Sequence, residues 1–279
     1  MNDSGEADPV GALQASAAVM TTPCGQGSMV WRCWGEGEPL VLLLGGSGSW
    51  RHWLRNIGFF ARSREVWCPD LPGLGDSDMP DPPVDVQAVA SVMRAGLERL
   101  FGRRPVVDVA AFSFGGIAGA VALAGARLPL RHFVLVGSTA LGLPAPRFAL
   151  QPWKGEADPQ RREAILRRNL LSLMLARIAP GDELALRLYA DDLERARFNS
   201  RHSARTTLLR DHLAQIPGRI AGIWGALDAA VDAEPARAEA AMRAVVPGLR
   251  FQVIADGGHW IQYEQPQRFN EALAAMLAD

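Results

Sequence analysis

The chain of 279 residues is long enough for one large α/β domain, and its hydrophobic content of 48% supports a sizeable core. Its net charge of −1 gives no indication of a nucleic-acid or membrane-surface partner. No apolar run reaches the length of about 18 residues that a spanning helix needs. The three cysteines, Cys24, Cys33 and Cys68, have neither metal-ligand spacing nor an even number for disulfides. With an acidic start that lacks signal-peptide features, these observations favour a reducing, cytoplasmic setting without metal or cofactor.

Residues 1–27 are rich in small residues and weakly periodic, so they are interpreted as a loose N-terminal extension. From residue 28 to residue 138, short apolar runs alternate with helical patterns, which predicts a parallel sheet covered by helices on both faces. The predicted strands are 28–34, 40–44, 65–69, 106–109 and 132–137, and the predicted helices are 50–61 and 84–101.

Residues 139–216 have a different character, with several prolines, Arg/Leu-rich helical patterns and no convincing strand. They are interpreted as a helical insertion between two strands of the sheet. Its predicted helices are 161–178, 182–197 and 203–215. The sheet domain resumes over residues 217–279, with predicted strands 219–224 and 249–255 and predicted helices 234–246 and 266–277.

The sequence around Ser113 combines a buried strand, a tight turn and a helix. Val106 to Val109 is an apolar, β-branched run, and small residues from Gly115 onward predict a helix packed closely on the sheet. A serine on such a strand-to-helix turn, with small residues two before and two after it, is typical of a nucleophile elbow. The helix N-terminus beneath the hydroxyl favours developing negative charge. The alternative is an ordinary tight turn between strand and helix.

A serine nucleophile needs a base, because a free hydroxyl is nearly inert at neutral pH. Only His259 follows the carboxyl end of a predicted strand in a glycine-rich loop, whereas His52 and His132 are interpreted as surface or packing residues. Asp228, just past another strand, is the preferred carboxylate to orient the base, with Asp232 as its rival. The order Ser, Asp, His then follows along the chain.

An oxyanion formed at Ser113 needs backbone donors. One is expected from the amide of Phe114, and the other from the glycine-rich loop after Leu44, where glycines allow close backbone approach. The alternative is a phosphate-binding loop, which is disfavoured because no Gly-Lys-Ser/Thr follows.

These motifs together resemble those of the α/β-hydrolase superfamily, over nearly the whole chain from about residue 28. The matching segments are Leu44-Gly45-Gly46-Ser47-Gly48-Ser49-Trp50, Asp70-x-Pro72-Gly73-x-Gly75-x-Ser77, the elbow at Ser113, and Gly225-x-x-Asp228 with Gly258-His259. The resemblance implies a mostly parallel sheet covered by helices on both faces. It also implies a helical cap, inserted after the sixth strand, that roofs the site and selects the substrate.

The resemblance also bears on the oxyanion donor and on the reaction class. Gly46 matches the family's donor position, or Ser47 if the loop is shifted by one residue, and Leu44 replaces the usual histidine. Haloalkane dehalogenases and epoxide hydrolases of this superfamily use aspartate at the elbow, where this chain has Ser113.

The segment Gly258-His259-Trp260-Ile261-Gln262-Tyr263-Glu264, followed by Phe269-Asn270, resembles the C-terminal signature of the meta-cleavage-product hydrolases. Those enzymes cleave C–C bonds in vinylogous 1,5-diketones from aromatic degradation. The resemblance implies that Arg197 in the cap binds a substrate carboxylate; the alternative is a solvated helix face. The asparagine that precedes the nucleophile in that family is Phe112 here. Phe112 and Trp260 are therefore expected either in an apolar acyl pocket or in the core.

The sequence thus predicts a cofactor-free serine hydrolase for a small-molecule carbonyl substrate, either a carboxylic ester or a C–C bond of an aromatic-degradation product. The expected substrate contacts are Ser47, Phe112, Arg197 and Trp260. A non-catalytic ligand-binding protein on the same fold is the alternative, because fold does not fix function. The sequence is compatible with a homo-oligomer.

Overall fold

The computed structural model describes residues 8–144, 146, 149–179 and 181–278. The strands are β1 (Ala18–Cys24), β2 (Gly27–Trp34), β3 (Glu38–Leu43), β4 (Arg64–Pro69), β5 (Val107–Phe112), β6 (Leu130–Val136), β7 (Arg219–Gly225) and β8 (Arg250–Ile254). In the described chain they form one sheet in the order β1-β2-β4-β3-β5-β6-β7-β8. The pairs β1–β2 and β2–β4 are antiparallel, and every other neighbouring pair is parallel.

The α-helices are α1 (Pro9–Ala15), α2 (Leu54–Phe60), α3 (Val86–Phe101), α4 (Phe114–Leu123), α5 (Pro159–Asn169), α6 (Leu184–Arg195), α7 (Leu208–Leu213), α8 (Pro235–Arg243), α9 (Ile261–Glu264) and α10 (Pro266–Leu277). Short 3₁₀ turns occupy Trp50–Trp53, Arg201–Arg205 and Ala229–Val231, and a π-helical turn, Leu170–Met174, continues α5. In the part of the chain that is described, no helix combines the length and the apolar character needed to cross a bilayer.

The sheet is buried on both faces because alternate side chains of each central strand enter different hydrophobic layers. In β3, Leu40 and Leu42 pack in the layer that contains Ile57 of α2. The intervening Val41 packs in the opposite layer, which contains Leu97 of α3. The predicted α/β-hydrolase fold, a mostly parallel sheet covered by helices on both faces, is confirmed.

The N-terminal segment departs from the sequence expectation. Residues 1–27 are predicted as a loose extension, but within the described residues they contain α1 and the edge strand β1. The side chain of Asp8 accepts hydrogen bonds from the first amides of α1, and Thr22 of β1 accepts one from the Trp31 indole at 2.9 Å. Most side chains of β1 are exposed, so an edge strand held by backbone pairing has no apolar alternation to read.

The insertion between β6 and β7 is helical, as the sequence predicts. Its described residues contain α5, α6 and α7 and no strand, and it follows the sixth strand of the sheet. Arg51, on the turn after β3, forms ion pairs with Asp191 at 3.2 Å and with Asp192, both on α6. These pairs connect the insertion to the sheet domain. The domain boundaries at residues 139 and 216 stay a prediction.

Candidate active site

Ser113 occupies a sharp turn between β5 and α4 and has the strained backbone angles φ 49° and ψ −115°. Non-glycine residues rarely adopt positive φ, and such strain is concentrated at functional sites. The turn is held on both sides, since the Ser113 amide donates to the Val136 carbonyl at 2.8 Å and Gly116 donates to the Ser113 carbonyl at 3.0 Å. A Cβ at Gly115 would lie 2.5 Å from the Leu44 carbonyl oxygen, which explains the small residue there.

Three sequence-predicted residues meet at the carboxyl edge of the sheet. Ser113 follows β5, Asp228 follows β7 and His259 follows β8, and these parallel strands end on the same side. The Nε2 atom of His259 lies 3.0 Å from the Ser113 hydroxyl, and its Nδ1 lies 2.9 Å from Oδ1 of Asp228. Asp228 and His259 are buried, whereas Ser113 retains partial exposure.

The hydrogen bonds define the protonation pattern of the pair. An ionised carboxylate only accepts, so the proton on the His259 ring is assigned to Nδ1, where it donates to Asp228. Nε2 is then free to accept the hydroxyl proton of Ser113. Oδ1 of Asp228 also accepts the Ala230 amide at 2.8 Å, which fixes the carboxylate. Its Oδ2 has no hydrogen-bond partner within the described residues.

Gly137, at the end of β6, leaves the space in which the carboxylate and imidazole meet. Its φ is +53°, and an added Cβ would lie 3.0 Å from Oδ2 of Asp228 and 3.1 Å from Nδ1 of His259. Both the left-handed backbone and the close approach therefore favour glycine. The sequence offered no signal for this role, because it arises only when three strand ends are brought together.

The expected oxyanion donors lie beside Ser113. Gly46 in the loop after β3 and Phe114 at the start of α4 both line the cavity next to Ser113. A Cβ at Gly46 would lie 3.5 Å from the Phe114 Cβ and 2.2 Å from the Ser200 hydroxyl of the insertion, so the loop is closely covered. Ser47 also lines the cavity and has a positive φ of 55°. The choice between the Gly46 and Ser47 amides stays a prediction.

A cavity of about 120 Å³ opens at the Ser113 hydroxyl. The sheet domain and the insertion both contribute to its wall, which is mixed apolar and polar. The main apolar side chains are Phe112, Phe114, Ile117, Leu150, Leu173, Met174 and Leu193, and the polar or charged ones include His52, Thr139, Tyr189, Asp192, Ser200 and Arg201. A dry cavity of about 150 Å³ accommodates benzene in another protein, so this one suits a small group.

His52, which the sequence interpretation assigned together with His132 to the surface or to packing, is buried and also lines the cavity. Its ring is buried, and its Nδ1 accepts the Gly45 amide at 3.1 Å. Burial lowers the pKa of His52 to about 3, with additional contributions from His259 and Arg51. The imidazole is therefore neutral at ordinary pH.

Asp192 on α6 is another buried ionisable group at the cavity. Burial raises its pKa to about 6, although the paired guanidinium of Arg51 acts in the opposite direction. Oδ2 of Asp192 has no hydrogen-bond partner among the described residues. The described chain contains no group of three or more His, Cys, Asp or Glu side chains suited to a metal ion.

The structure does not bring two of the expected substrate contacts into the cavity. Arg197 is exposed; its guanidinium donates to the Ser77 carbonyl and its amide donates to the Gly73 carbonyl at 2.9 Å. It lines an outer groove instead. Trp260 is buried in the core, and its indole N–H donates to the His52 carbonyl at 2.8 Å. Phe112 and Ser47, by contrast, do line the cavity.

Arg201, rather than Arg197, is the arginine of the insertion that reaches the cavity wall. Helix α6 ends at Arg195 and Ala196 is extended, so helical spacing from α6 no longer places the residues that follow. Arg201 begins a separate 3₁₀ turn. A sequence comparison based on a continuous helical segment could not anticipate this break.

The loop that carries His259 is joined to the insertion on both sides of the histidine. The Gly258 amide donates to the Glu264 carboxylate at 2.6 Å, and the Trp260 amide donates to the Met174 carbonyl at 2.6 Å. The same carboxylate accepts the amides of Ala176 at 3.3 Å and Arg177 at 2.9 Å. The insertion therefore contributes directly to the position of the imidazole.

Comparison with known sequences places this chain among proteins of one family. The model of the alpha/beta hydrolase family matches residues 40–272. A dihydrolipoyllysine-residue acetyltransferase component of an acetoin cleaving system from Pseudomonas putida is 30% identical over 266 residues, which cover 86% of this chain. A soluble epoxide hydrolase from Corynebacterium sp. (strain C12) is 43% identical over 60 residues, or 22% of this chain. The chain spans only 64% of the first relative's length and 21% of the second's.

Solved structures show the same fold at low sequence identity. A carboxylesterase from Bacillus subtilis superposes with a TM-score of 0.76 at 15% identity, covering 97% of this chain and 94% of its own. An esterase from Rhodococcus sp. ECU1013 gives 0.73 at 20% identity, with 94% and 99% covered. A meta-cleavage product hydrolase gives 0.69 at 18% identity, with 92% and 97% covered.

Proposed function

We propose, from the premise that this chain belongs to the α/β-hydrolase family, that it is a serine hydrolase of small carboxylic esters. The observation that carries the proposal is the continuous hydrogen-bonded series from Ser113 through His259 to Asp228. It joins a nucleophile to a base and the base to an orienting carboxylate, which is the arrangement that acyl transfer requires.

The reaction follows from the positions of these groups. Ser113 attacks the ester carbonyl while His259 takes the hydroxyl proton at Nε2, and the negative charge passes to the carbonyl oxygen. The amides of Gly46 and Phe114 are the proposed donors to that oxygen. His259 then returns the proton to the departing alcohol, leaving an acyl group on Ser113. Water, deprotonated by His259, releases the acid, and Asp228 stabilises the imidazolium at each step.

The cavity supports a short acyl group as the substrate portion next to Ser113. Its volume of about 120 Å³ and its aromatic and aliphatic walls suit a chain of a few carbons. The insertion forms part of the wall and, in this proposal, acts as the cap that limits acyl length. The exposed position of Arg197 removes the main support that the sequence gave to C–C bond cleavage.

The test uses a fluorophosphonate probe and p-nitrophenyl esters of increasing acyl length. We expect Ser113 to be labelled and short esters to be hydrolysed, and Ser113→Ala to lower kcat/KM by about three orders of magnitude or more. His259→Ala should abolish labelling. Ser63→Ala, which changes an exposed serine, is the matched control and should leave both readouts unchanged.

The two other functions give different results in the same experiment. A C–C bond hydrolase would turn over dienoate ketones and discriminate against simple esters. A non-catalytic ligand-binding protein would neither be labelled at Ser113 nor hydrolyse either substrate class. Near-wild-type ester turnover by Ser113→Ala would contradict the proposal.

A further inference from the structure

His52 is held rigidly beside the proposed oxyanion loop. The residue is 4% exposed and its ring packs against two aromatic rings, with centroid distances of 5.2 Å to Phe112 and 5.1 Å to Trp260. Gly48 provides the room, because a Cβ there would lie 1.9 Å from Cε1 of the imidazole. The ring therefore has one position and one orientation.

The contacts of His52 also determine where its proton is. The Gly45 amide can only donate, so Nδ1 of His52 must accept at 3.1 Å and carries no proton. In the neutral ring the proton is then on Nε2. Burial, which lowers the pKa of this imidazole, keeps the ring neutral at ordinary pH. His52 is thus a fixed N–H donor that does not change charge with the state of His259.

The Nε2 donor has no acceptor in the protein. No described residue accepts its hydrogen bond. Unlike Nε2 of His132, which is fully buried without a partner, Nε2 of His52 is not sealed off by the protein. Because His52 lines the cavity with Ser113 and His259, this open side faces the cavity. A bound ligand with an oxygen at this point would supply the missing partner.

The donor is assigned a partner other than the reacting carbonyl. The Phe112 ring contacts both imidazoles, with centroids 5.2 Å from His52 and 5.0 Å from His259. The amides of Gly46 and Phe114 already serve the carbonyl oxygen in the proposed mechanism. The acceptor for His52 is then a second oxygen of the substrate.

We propose that Nε2 of His52 donates a hydrogen bond to a second oxygen in the acyl group, so that the substrates are esters of short oxygenated acids. An ether, hydroxyl or keto oxygen one or two atoms from the reacting carbonyl fits a cavity of about 120 Å³. This inference rests on the proposed esterase function. In that reaction His52 is a specificity residue, and it also positions the Gly45–Gly46 loop through the Gly45 amide.

The test compares esters that differ by one oxygen in place of one methylene. The pairs are p-nitrophenyl methoxyacetate with butyrate, and p-nitrophenyl 3-methoxypropionate with pentanoate. Each kcat/KM is divided by the hydroxide-catalysed rate constant of the same ester, which removes intrinsic reactivity. The ratio of the two corrected kcat/KM values within a pair reports the hydrogen bond from His52, because any displacement of the oxyanion loop affects both esters equally.

In the wild-type protein we expect at least one pair to favour the oxygenated ester by about tenfold or more, since a site built for a hydrogen bond rejects the analogue that lacks it. His52→Leu should bring that ratio close to one, and His52→Asn, which can still accept from Gly45 and donate onward, should restore much of it. His202→Leu, at an exposed histidine of the insertion, is the control.

Ratios near one for both pairs in the wild-type protein would overturn the inference without any variant. An unchanged preference in a folded, active His52→Leu would overturn it as well. Absence of both ester turnover and Ser113 labelling is a separate outcome, because it refutes the esterase function on which the inference rests.

Discussion

At the scale of single residues, Gly137 shows how a position without functional groups shapes the candidate site. Its missing side chain leaves the space for the Asp228 carboxylate and the His259 imidazole, at distances of 3.0 and 3.1 Å from an added Cβ. The meeting of Ser113, His259 and Asp228, the proposed nucleophile, base and carboxylate, could be predicted from motifs at strand ends. Gly137 could not, because the sequence does not show which atoms converge on it.

Gly137→Ala should lower kcat by about tenfold to a hundredfold with little change in KM, because the methyl group displaces the imidazole rather than the bound ester. Steady-state kinetics on a p-nitrophenyl ester measure both parameters. Gly125→Ala is the matched control, with a similar positive φ of 73° and no atom within 4 Å of its Cβ position. Equal losses of activity in the two variants would show that backbone strain alone is responsible.

His52 should make the free energy of unfolding depend on pH. Its pKa is about 3 in the folded chain against 6.5 for a free side chain, so between these values only the unfolded chain binds the proton. The free energy of unfolding should therefore fall as pH drops below about 6.5, by about 1.4 kcal/mol per pH unit for this group, and it should be unaffected above that pH.

Urea unfolding between pH 7 and pH 5 measures this slope. In His52→Asn the slope should be smaller by about that amount, whereas replacement of the exposed His202 by Asn should leave it unchanged. Identical slopes for the wild-type protein and His52→Asn would show that His52 takes up its proton in the folded chain as it does in the unfolded chain. The charged groups that act on His52 are Arg51 and His259, and neither substitution alters them.

At the scale of secondary-structure elements, the strands with apolar sequences were predictable, including the largely exposed β8, and the edge strand β1 was not. The central strands are recognisable in the sequence as apolar runs, because both of their faces are covered. The edge strand β1 has no such run, since its stability comes from pairing with β2. The position of Arg197 was not predictable from helical spacing either. The extended residue after α6 changes the direction of the chain, and Arg201 reaches the cavity instead.

Glu264 at the end of α9 is the clearest link between elements near the site. Its carboxylate accepts amides from the His259 loop and from the segment after the π-helical turn. Glu264→Ala should free the histidine loop and lower kcat by about tenfold, with Glu264→Gln intermediate because one amide oxygen can still accept. Steady-state kinetics test this, and Glu271→Ala, at an exposed position on α10, is the control. Wild-type kcat in Glu264→Ala would contradict the link.

At the scale of the whole molecule, the insertion and the sheet domain are joined by buried charge. Arg51 and Asp192 are both buried and paired, and the pKa of Asp192 is raised to about 6 by its burial. Removing one partner leaves the other charge uncompensated, which costs about 3–5 kcal/mol in comparable pairs, whereas replacing both with apolar side chains is often neutral.

Arg51→Met should therefore lower the free energy of unfolding by about 3 kcal/mol, and the double variant Arg51→Met/Asp192→Leu should recover most of the loss. Urea unfolding measures both, and hydrogen exchange should show lost protection first in α6. The exposed ion pairs of Arg167 with Glu163 and Glu183 provide the control, because Arg167→Met should cost about 1 kcal/mol or less. Lack of recovery in the double variant would exclude this explanation.

The backbone hydrogen bonds on both sides of His259 have a consequence for how ligands enter and leave. The insertion is hydrogen-bonded at Met174, Ala176 and Arg177 to the segment that follows His259. It therefore cannot move away at that end without displacing the His259 imidazole. We therefore expect ligands to enter and leave through the outer groove, which shares Ser47 and Arg201 with the cavity. The part of the cavity next to His259 would then stay closed while ligands exchange. Arg197, which does not line the cavity, lies on the route through the outer groove.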